Sequence, residues 1–362
     1  MTIQTSIDMN GKRYIDLEIM LNKIKGGIYD YRIQRKILSK IAKHASLSDD
    51  LNIDRITFSH SDELLSPWDI LIQHRGKTLD VAWRPDIHLC MDGAIFRSIK
   101  SRCTPYLYYA AKSGEAAHHL ICDISDGNHP SMADVRYSSP FANSGLLPDV
   151  YFFENSGYLK QRALYETQAV NWTERSDEII WRGNVTGMGL RICDDELVSN
   201  GAVNQRIRMA VACKKTDVDF RFVGADDEVH VLENMGLMSG RVEAASWLGR
   251  KFAIDIDGAS NAWDNLYHRL LFGCCVLKVE SQAGFRQWYY DKLKPGEHYV
   301  PIKADLSDLH EQLDWVRSNP KEAENIARAG CELAHSMTFE TETQYAVEEI
   351  TRICNAKNSS AN

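Results

Sequence analysis

The run Phe252-Ala253-Ile254-Asp255-Ile256-Asp257-Gly258 decides how this chain is read, together with Leu270-Leu271-Phe272-Gly273-Cys274-Cys275-Val276-Leu277-Lys278-Val279-Glu280 downstream. A short apolar strand delivers two acids and a glycine to a turn. A helix fills Ala259 to Arg269, and a second apolar strand ends in Lys-Val-Glu. Strand, helix and strand in that order build a parallel α/β sheet. Ligands of such sheets lie at the carboxyl ends of the strands, beside a helix N-terminus.

Working outward, Ile179-Ile180-Trp181-Arg182-Gly183-Asn184-Val185-Thr186-Gly187 reads as a strand entering a glycine-bearing loop. Glycines let backbone N–H groups approach a phosphate, and Arg182 can fork onto two of its oxygens. Asn204–Ala212 reads as helix, with Arg206 and Arg208 on a solvated face. Val218–Val223 is a strand, Arg241–Gly249 and Ser281–Leu293 are helices, and His298–Ile302 is a short strand. Helices at Leu306–Val316 and Pro320–Ala334 follow, the first capped by Asp305 or Ser307. Alternation along the strand puts Asp255 and Asp257 on one face. Such a pair can hold a divalent metal, but Asp217-Val218-Asp219 repeats the pattern elsewhere. The preferred reading has Asp257-Gly258 capping the next helix, with Asp255 a buried acceptor. Glu280 ends its strand where a carboxylate accepts ribose hydroxyls.

The first half carries fewer signals. Residues 13–45 have helix-like apolar spacing broken by Gly26-Gly27. Strands are expected at Ile53–Ser59, Thr78–Trp83, Gly93–Ser98, His119–Ile124 and Val135–Ser139. The fourth runs into Ser125-Asp126-Gly127-Asn128-His129-Pro130, a turn cluster. Asp123 and Asp126 there suit either a general base or an Asx-turn acid that stabilises its own loop. His118, His119 and His129 are the alternatives.

At 362 residues the chain is long for one core, and strands alternate with helices throughout, so two α/β domains with mainly parallel sheets are expected. The formal net charge of -8 argues against a general nucleic-acid binder. Nine cysteines, an odd number without a C-x-x-C pair, read as reduced thiols rather than a zinc framework. The polar start lacks a signal-peptide core, and no window approaches the ~20 apolar residues of a membrane span. The expectation is a cytoplasmic protein, with peripheral contact at the inner membrane face left open.

Four ordered blocks resemble family 90 glycosyltransferases, which include capsule-associated xylosyltransferases, protein O-glucosyltransferases and bacterial lipopolysaccharide-modifying enzymes. Trp181-Arg182-Gly183 with Thr186-Gly187 looks like W-R-G-x-x-T-G, and Lys251–Gly258 looks like K-[YF]-x-[IL]-D-[IL]-D-G. Leu270-Leu271 through Val276-Leu277-Lys278 fits R-L-L…V-L-K, and His298–Leu309 fits H-Y-V-P-[VI]-x-x-D-L-S-D-L. The resemblance implies a GT-B architecture, two Rossmann-like domains facing a central cleft. It also implies an inverting, metal-independent enzyme that needs no cofactor beyond its UDP-sugar donor. The acceptor would be a glycan or lipid-linked glycan of lipopolysaccharide or capsule biosynthesis. Asp126 matches the family's base, with Asp123 second. Arg182, Gly183, Thr186, Gly187, Asp257 and Gly258 would meet the diphosphate, and Glu280 the ribose. Relatives carry an arginine where this chain has Asn265, so Asn265 itself or Arg269 (alternatively Arg250) completes the set. Two rivals stand beside this reading: a cytosolic protein O-glycosyltransferase, and an inactive nucleotide-sugar or glycan-binding module. The expected domains are residues 1–165 for the acceptor, 166–340 for the donor, and a helix with a frayed tail over 341–362.

Overall fold

A computed structural model of the chain describes residues 5–8, 13–14, 35–37, 39, 53–84, 93–224 and 229–361. It divides into two compact units, Met1–Glu154 with Phe339–Asn362, and Asn155–Thr338. The division falls before the boundary near 165, and the last segment belongs to the first unit.

The first unit is built on one eight-stranded sheet. Its strands are β1 (Thr5–Asp8), β2 (Arg13–Tyr14), β3 (Arg55–His60), β4 (Asp69–Arg75), β5 (Thr78–Trp83), β6 (Leu120–Asp123), β7 (Val135–Arg136) and β8 (Gly145–Leu146). Their order is β2-β1-β3-β5-β4-β6-β7-β8. Only β3–β5, β6–β7 and β7–β8 pair in parallel, so this sheet is mixed where a mainly parallel one was expected. The cause is a hairpin: β4 and β5 pair through the two-residue turn Gly76-Lys77, with Gly76 at φ +59. Residues 13–14 are strand rather than helix. Residues 35–37 and 39 are helical, and the rest of the helix expected over 13–45 lies outside the described residues.

Gly93–Ser98, expected as a strand, opens helix α1 (Gly93–Ser113). Ile99, Cys103, Tyr106, Leu107 and Ala110 are buried at three- and four-residue spacing, the helical period, which outweighs the short apolar run at its start. A short helix α2 (Val150–Glu154) closes the continuous part of the unit.

The second unit contains α3 (Leu159–Gln168), β9 (Ile180–Gly183), α4 (Gln205–Cys213), β10 (Asp219–Phe222), α5 (Val229–Asn234), β11 (Phe252–Asp255), α6 (Asp264–Leu271), β12 (Cys275–Val279), β13 (Val300–Ile302), α7 (Leu309–Ser318) and α8 (Pro320–Ser336). Every strand pair in it is parallel, β10 with β9 and β11 with β12 with β13. A parallel bridge between Ser176 and Arg250, just ahead of β9 and β11, sets those two strands side by side. One buried cluster, including Trp181, Phe220, Ile254, Leu277 and Ile302, runs beneath both groups. The resulting order, β10-β9-β11-β12-β13, is the 2-1-3-4-5 order of doubly wound sheets, with its switch point between β9 and β11.

Of two helices expected here, Arg241–Gly249 forms a 3-10 helix over Ala244–Gly249, while Ser281–Leu293 keeps only one 3-10 turn at Tyr290–Lys292. Gly284 at φ +78 breaks the latter, and Trp288 and Tyr289 are buried against Tyr267 instead. Helix α7 starts at Leu309 with no side-chain cap. Asp305 accepts from Ser307 N at 3.0 Å within the preceding loop. The final helix, α9 (Phe339–Ala361), packs on α1 through Phe339 against Tyr108, and runs well past Cys354, where fraying was expected.

Candidate active site

The switch point of the parallel sheet brings two loops together. Residues 184–187 leave β9 and residues 256–260 leave β11, and the N-terminus of α4 sits between them. Asn204 caps α4, accepting from Arg206 N at 3.1 Å and Ile207 N at 3.2 Å, and its Nδ2 donates to Thr186 O at 3.3 Å. Arg206 follows in the first turn and is buried. Its Nε donates to Asp257 O at 2.8 Å, and its Nη1 to Asn184 O at 2.8 Å and Thr186 Oγ1 at 2.9 Å. Its Nη2 donates to Ile256 O at 3.1 Å. One guanidinium thus ties both loops to α4.

Two glycines permit this approach. Gly187 has φ +128, and a Cβ there would lie 2.7 Å from Asn204 Nδ2. A Cβ on Gly258 would lie 2.9 Å from Thr186 Oγ1 and 3.0 Å from Arg206 Nη2. The loops border a small, partly open cleft, lined among others by Gly187, Asn204, Arg206, Asp257, Gly258 and Ser281. A helix N-terminus, a guanidinium and glycine loops around a small cleft form a setting for an anion.

Beneath the cleft lie two acids and a lysine. Asp255 Oδ2 accepts from Lys278 Nζ at 3.2 Å. Asp257 is 7% exposed, and both its carboxylate oxygens are buried without a hydrogen-bond partner. Burial pushes the Asp257 carboxyl up to about 6, with Lys278 opposing. Burial also works against the Lys278 ammonium, but Asp255 and Asp257 outweigh it and hold the lysine above its ordinary range. Burial draws Arg206 down to about 10, so it stays cationic at neutral pH.

Of the residues expected here, Gly187, Asp257 and Gly258 line the cleft, and Thr186 stands behind them, its Oγ1 accepting from Arg206. Asp257 caps no helix, however, because α6 begins only at Asp264. Arg182 is engaged elsewhere: it forms an ion pair with Asp219 and donates to Asp219 O at 2.7 Å. Burial of Asp219 is outweighed by its bonds from Arg182 and Arg221, which hold its carboxyl below the usual range. Gly183 ends β9 against the Trp181 ring. Arg269 stacks 3.7 Å from the Trp247 ring centroid. Asn265 lies in the first turn of α6 and, like Arg269, does not line the cleft. The Glu280 side chain is exposed, while its carbonyl accepts from Gln205 Nε2 at 2.9 Å.

Arg206 and Arg208, expected on a solvated face, are both buried. One signal marks Arg206 in the sequence. A cation two residues after an Asn cap, in the first turn, opposes the helix dipole, so tertiary partners must hold it there.

In the first unit, β6 ends at Asp123, paired across the sheet with Asp69 of β4. Asp123 is fully buried; its Oδ1 accepts from Ser125 N at 2.7 Å, and its Oδ2 has no hydrogen-bond partner. Burial raises its carboxyl, and the Ser125 bonds oppose that. Burial likewise pushes Asp69 up to about 6. Asp126 sits one turn on, its side chain 33% exposed, with Oδ1 accepting from Arg102 Nη2 at 2.6 Å. Gly127 at φ +83 clamps this turn: a Cβ there would collide with the Ser138 carbonyl at 2.1 Å. His129 stacks on Trp68, with ring centroids 4.4 Å apart.

Residues 158–355 match the sequence model of Glycosyl transferase family 90. The chain belongs to this family. The cleft around Arg206 and Asp257 lies inside the span matched to family 90, and Asp123 and Asp126 lie outside it. Protein 179R of Invertebrate iridescent virus 6 is 40% identical over 83 residues, 22% of this chain and 7% of that protein. Protein O-glucosyltransferase 3 of Rattus norvegicus is 41% identical over 81 residues, 22% of this chain and 15% of that protein. The matched stretch spans less than a fifth of the length of either curated relative. Among solved structures, Anabaena Alr3699/HepE in complex with UDP-glucose aligns over 54% of this chain and 53% of that one, with 11% identity and a TM-score of 0.33. That likeness is too slight to bear on fold or ligand. Among the described residues, no helix is long and apolar enough to cross a membrane.

Proposed function

We propose that this chain is a glycosyltransferase of GT-B type that moves a sugar from a UDP-sugar to a glycan hydroxyl, with inversion and without a metal ion. The observation that carries this reading is the cleft at the β9–β11 switch point. There Arg206, the α4 N-terminus and the Gly187 and Gly258 loops border a cleft whose lining suits the phosphates of a diphosphate. Glu280, exposed at the end of β12, is available to ribose hydroxyls.

In the transfer step the acceptor oxygen attacks the anomeric carbon as its proton passes to Asp126. The bond from that carbon to the diphosphate oxygen breaks, and UDP leaves with the electron pair. Arg102 engages Asp126 Oδ1 and so orients Oδ2 as the proton acceptor. Arg206 and the loop amides stabilise charge developing on the leaving group. The donor sugar is glucose, xylose or a close analogue. The acceptor is a glycan of lipopolysaccharide or capsule biosynthesis, met at the cytoplasmic face of the inner membrane. A protein hydroxyl is the second reading for the acceptor, favoured by the 41% identity to a protein O-glucosyltransferase.

The test is UDP release from a panel of UDP-sugars in excess EDTA, with glycan and serine-peptide acceptors side by side. Turnover of one donor in EDTA supports the reading. Binding of UDP without any turnover favours the inactive binding module, and a strict Mn²⁺ or Mg²⁺ requirement removes metal independence.

A further inference from the structure

The cleft described above rests on a buried charge set that sums to zero when all four groups are ionised. Arg206 from α4 and Lys278 from β12 are balanced by Asp255 from β11 and Asp257 just beyond it. Three of the four have direct partners. Lys278 bonds Asp255, and its ammonium lies 4.5 Å from the Tyr290 ring centroid. Arg206 makes four hydrogen bonds to loop oxygens. Asp257 bonds to neither cation; the Ser281 side chain is its polar neighbour, and it borders the cleft.

A dianionic diphosphate entering this space meets an ionised carboxylate bonded to neither buried cation. In a poorly hydrated site such repulsion is only weakly screened. Removing the Asp257 charge would leave the cations in excess and turn a neutral site into a net positive one. Resting on the reading of this cleft as a UDP-sugar site, we propose that Asp257 takes up a proton as the diphosphate binds and remains a neutral carboxylic acid in the complex. The proton here does the electrostatic work that a divalent cation would otherwise do. Burial already holds this carboxyl near 6 in the free protein, so a modest further rise keeps it protonated at neutral pH. Lys278, the Ser281 side chain and Arg206 oppose that rise, and Asp255 favours it.

The experiment is titration calorimetry of the intact protein with UDP-glucose in EDTA at about pH 7.5, run in HEPES and in Tris. These buffers differ in ionisation enthalpy, and the diphosphate diester of UDP-glucose does not itself titrate in this range. The difference in heat should report uptake of about half a proton, and affinity should weaken about tenfold between pH 6.5 and 8.5. Uridine, which lacks phosphates, should bind with no uptake. Asp257→Asn mimics the protonated acid. It should abolish uptake, flatten the pH dependence, and bind UDP-glucose about thirtyfold more tightly than wild type at pH 8.5. Binding by wild type without proton uptake overturns the inference alone, as does uptake that persists in Asp257→Asn. If the variant does not fold, the wild-type buffer comparison and the uridine control still decide. Absence of any UDP-glucose binding at pH 6.5 overturns the functional reading and the inference with it.

Discussion

The two units each present a pair of acids at strand ends, and they treat them in opposite ways. In the first unit the mixed sheet buries Asp123 beside Asp69, while Asp126 reaches the surface held by Arg102. In the second, both Asp255 and Asp257 are buried, and two cations are buried with them. An exposed, singly anchored carboxylate can exchange a proton with an arriving hydroxyl. A buried acid among buried cations instead sets the potential of a cleft. Under the proposed function, the contrast corresponds to proton transfer in one unit and anion binding in the other.

Substitutions can break that assignment. The largest effect is expected from Asp126→Asn, which should lower kcat by about 10³-fold and leave UDP affinity within about twofold. Steady-state turnover with calorimetry checks both, and a parallel loss of nucleotide affinity would erase the division of labour. Next is the pH dependence of stability at Asp257. Its carboxyl stands at about 6 in the folded chain against 3.8 ordinarily. A raised acid favours the folded state fully only below 3.8, and that contribution is lost as pH rises through about 6. Asp257→Asn should therefore gain on the order of 3 kcal/mol at about pH 8, with the gain vanishing towards pH 4. Melting curves across that window test it, and a flat difference would remove the buried-charge description. Arg206→Lys should weaken UDP binding by about 30-fold, since an ammonium cannot make the same forked bonds to two loops. The smallest effect belongs to Arg182→Lys. Because its guanidinium is engaged with Asp219, UDP affinity should change by less than about threefold. A larger loss would return Arg182 to the site.

The second unit was more legible than the first. A parallel sheet writes each strand as an apolar run and each strand end as glycine or acid, so β9, β11 and β12 and their loops can be found locally. The hairpin of β4 and β5 turns on two residues between runs of mixed polarity, and the strand reading omits β4. Ser281–Leu293 was misread because burial of Trp288 and Tyr289 against Tyr267 outweighs local spacing. Arg182 and Arg206 make contacts that their sequence neighbours do not reveal, for one reason. Arg182 follows a strand and precedes a glycine, which suits phosphate binding, but its partner Asp219 lies 37 residues away on the neighbouring strand. Arg206 sits on a helix that looks solvated, and its partners lie on two distant loops.

From the sequence alone came the α/β class, the ordered family 90 blocks and the glycine loops with Asp257. These are local patterns, spelled within a few residues. Tertiary structure alone decided which cation stands at the cleft and which acid is left unpaired. Charge pairing depends on distances between strands, and those are set only when the sheet order brings β9 beside β11.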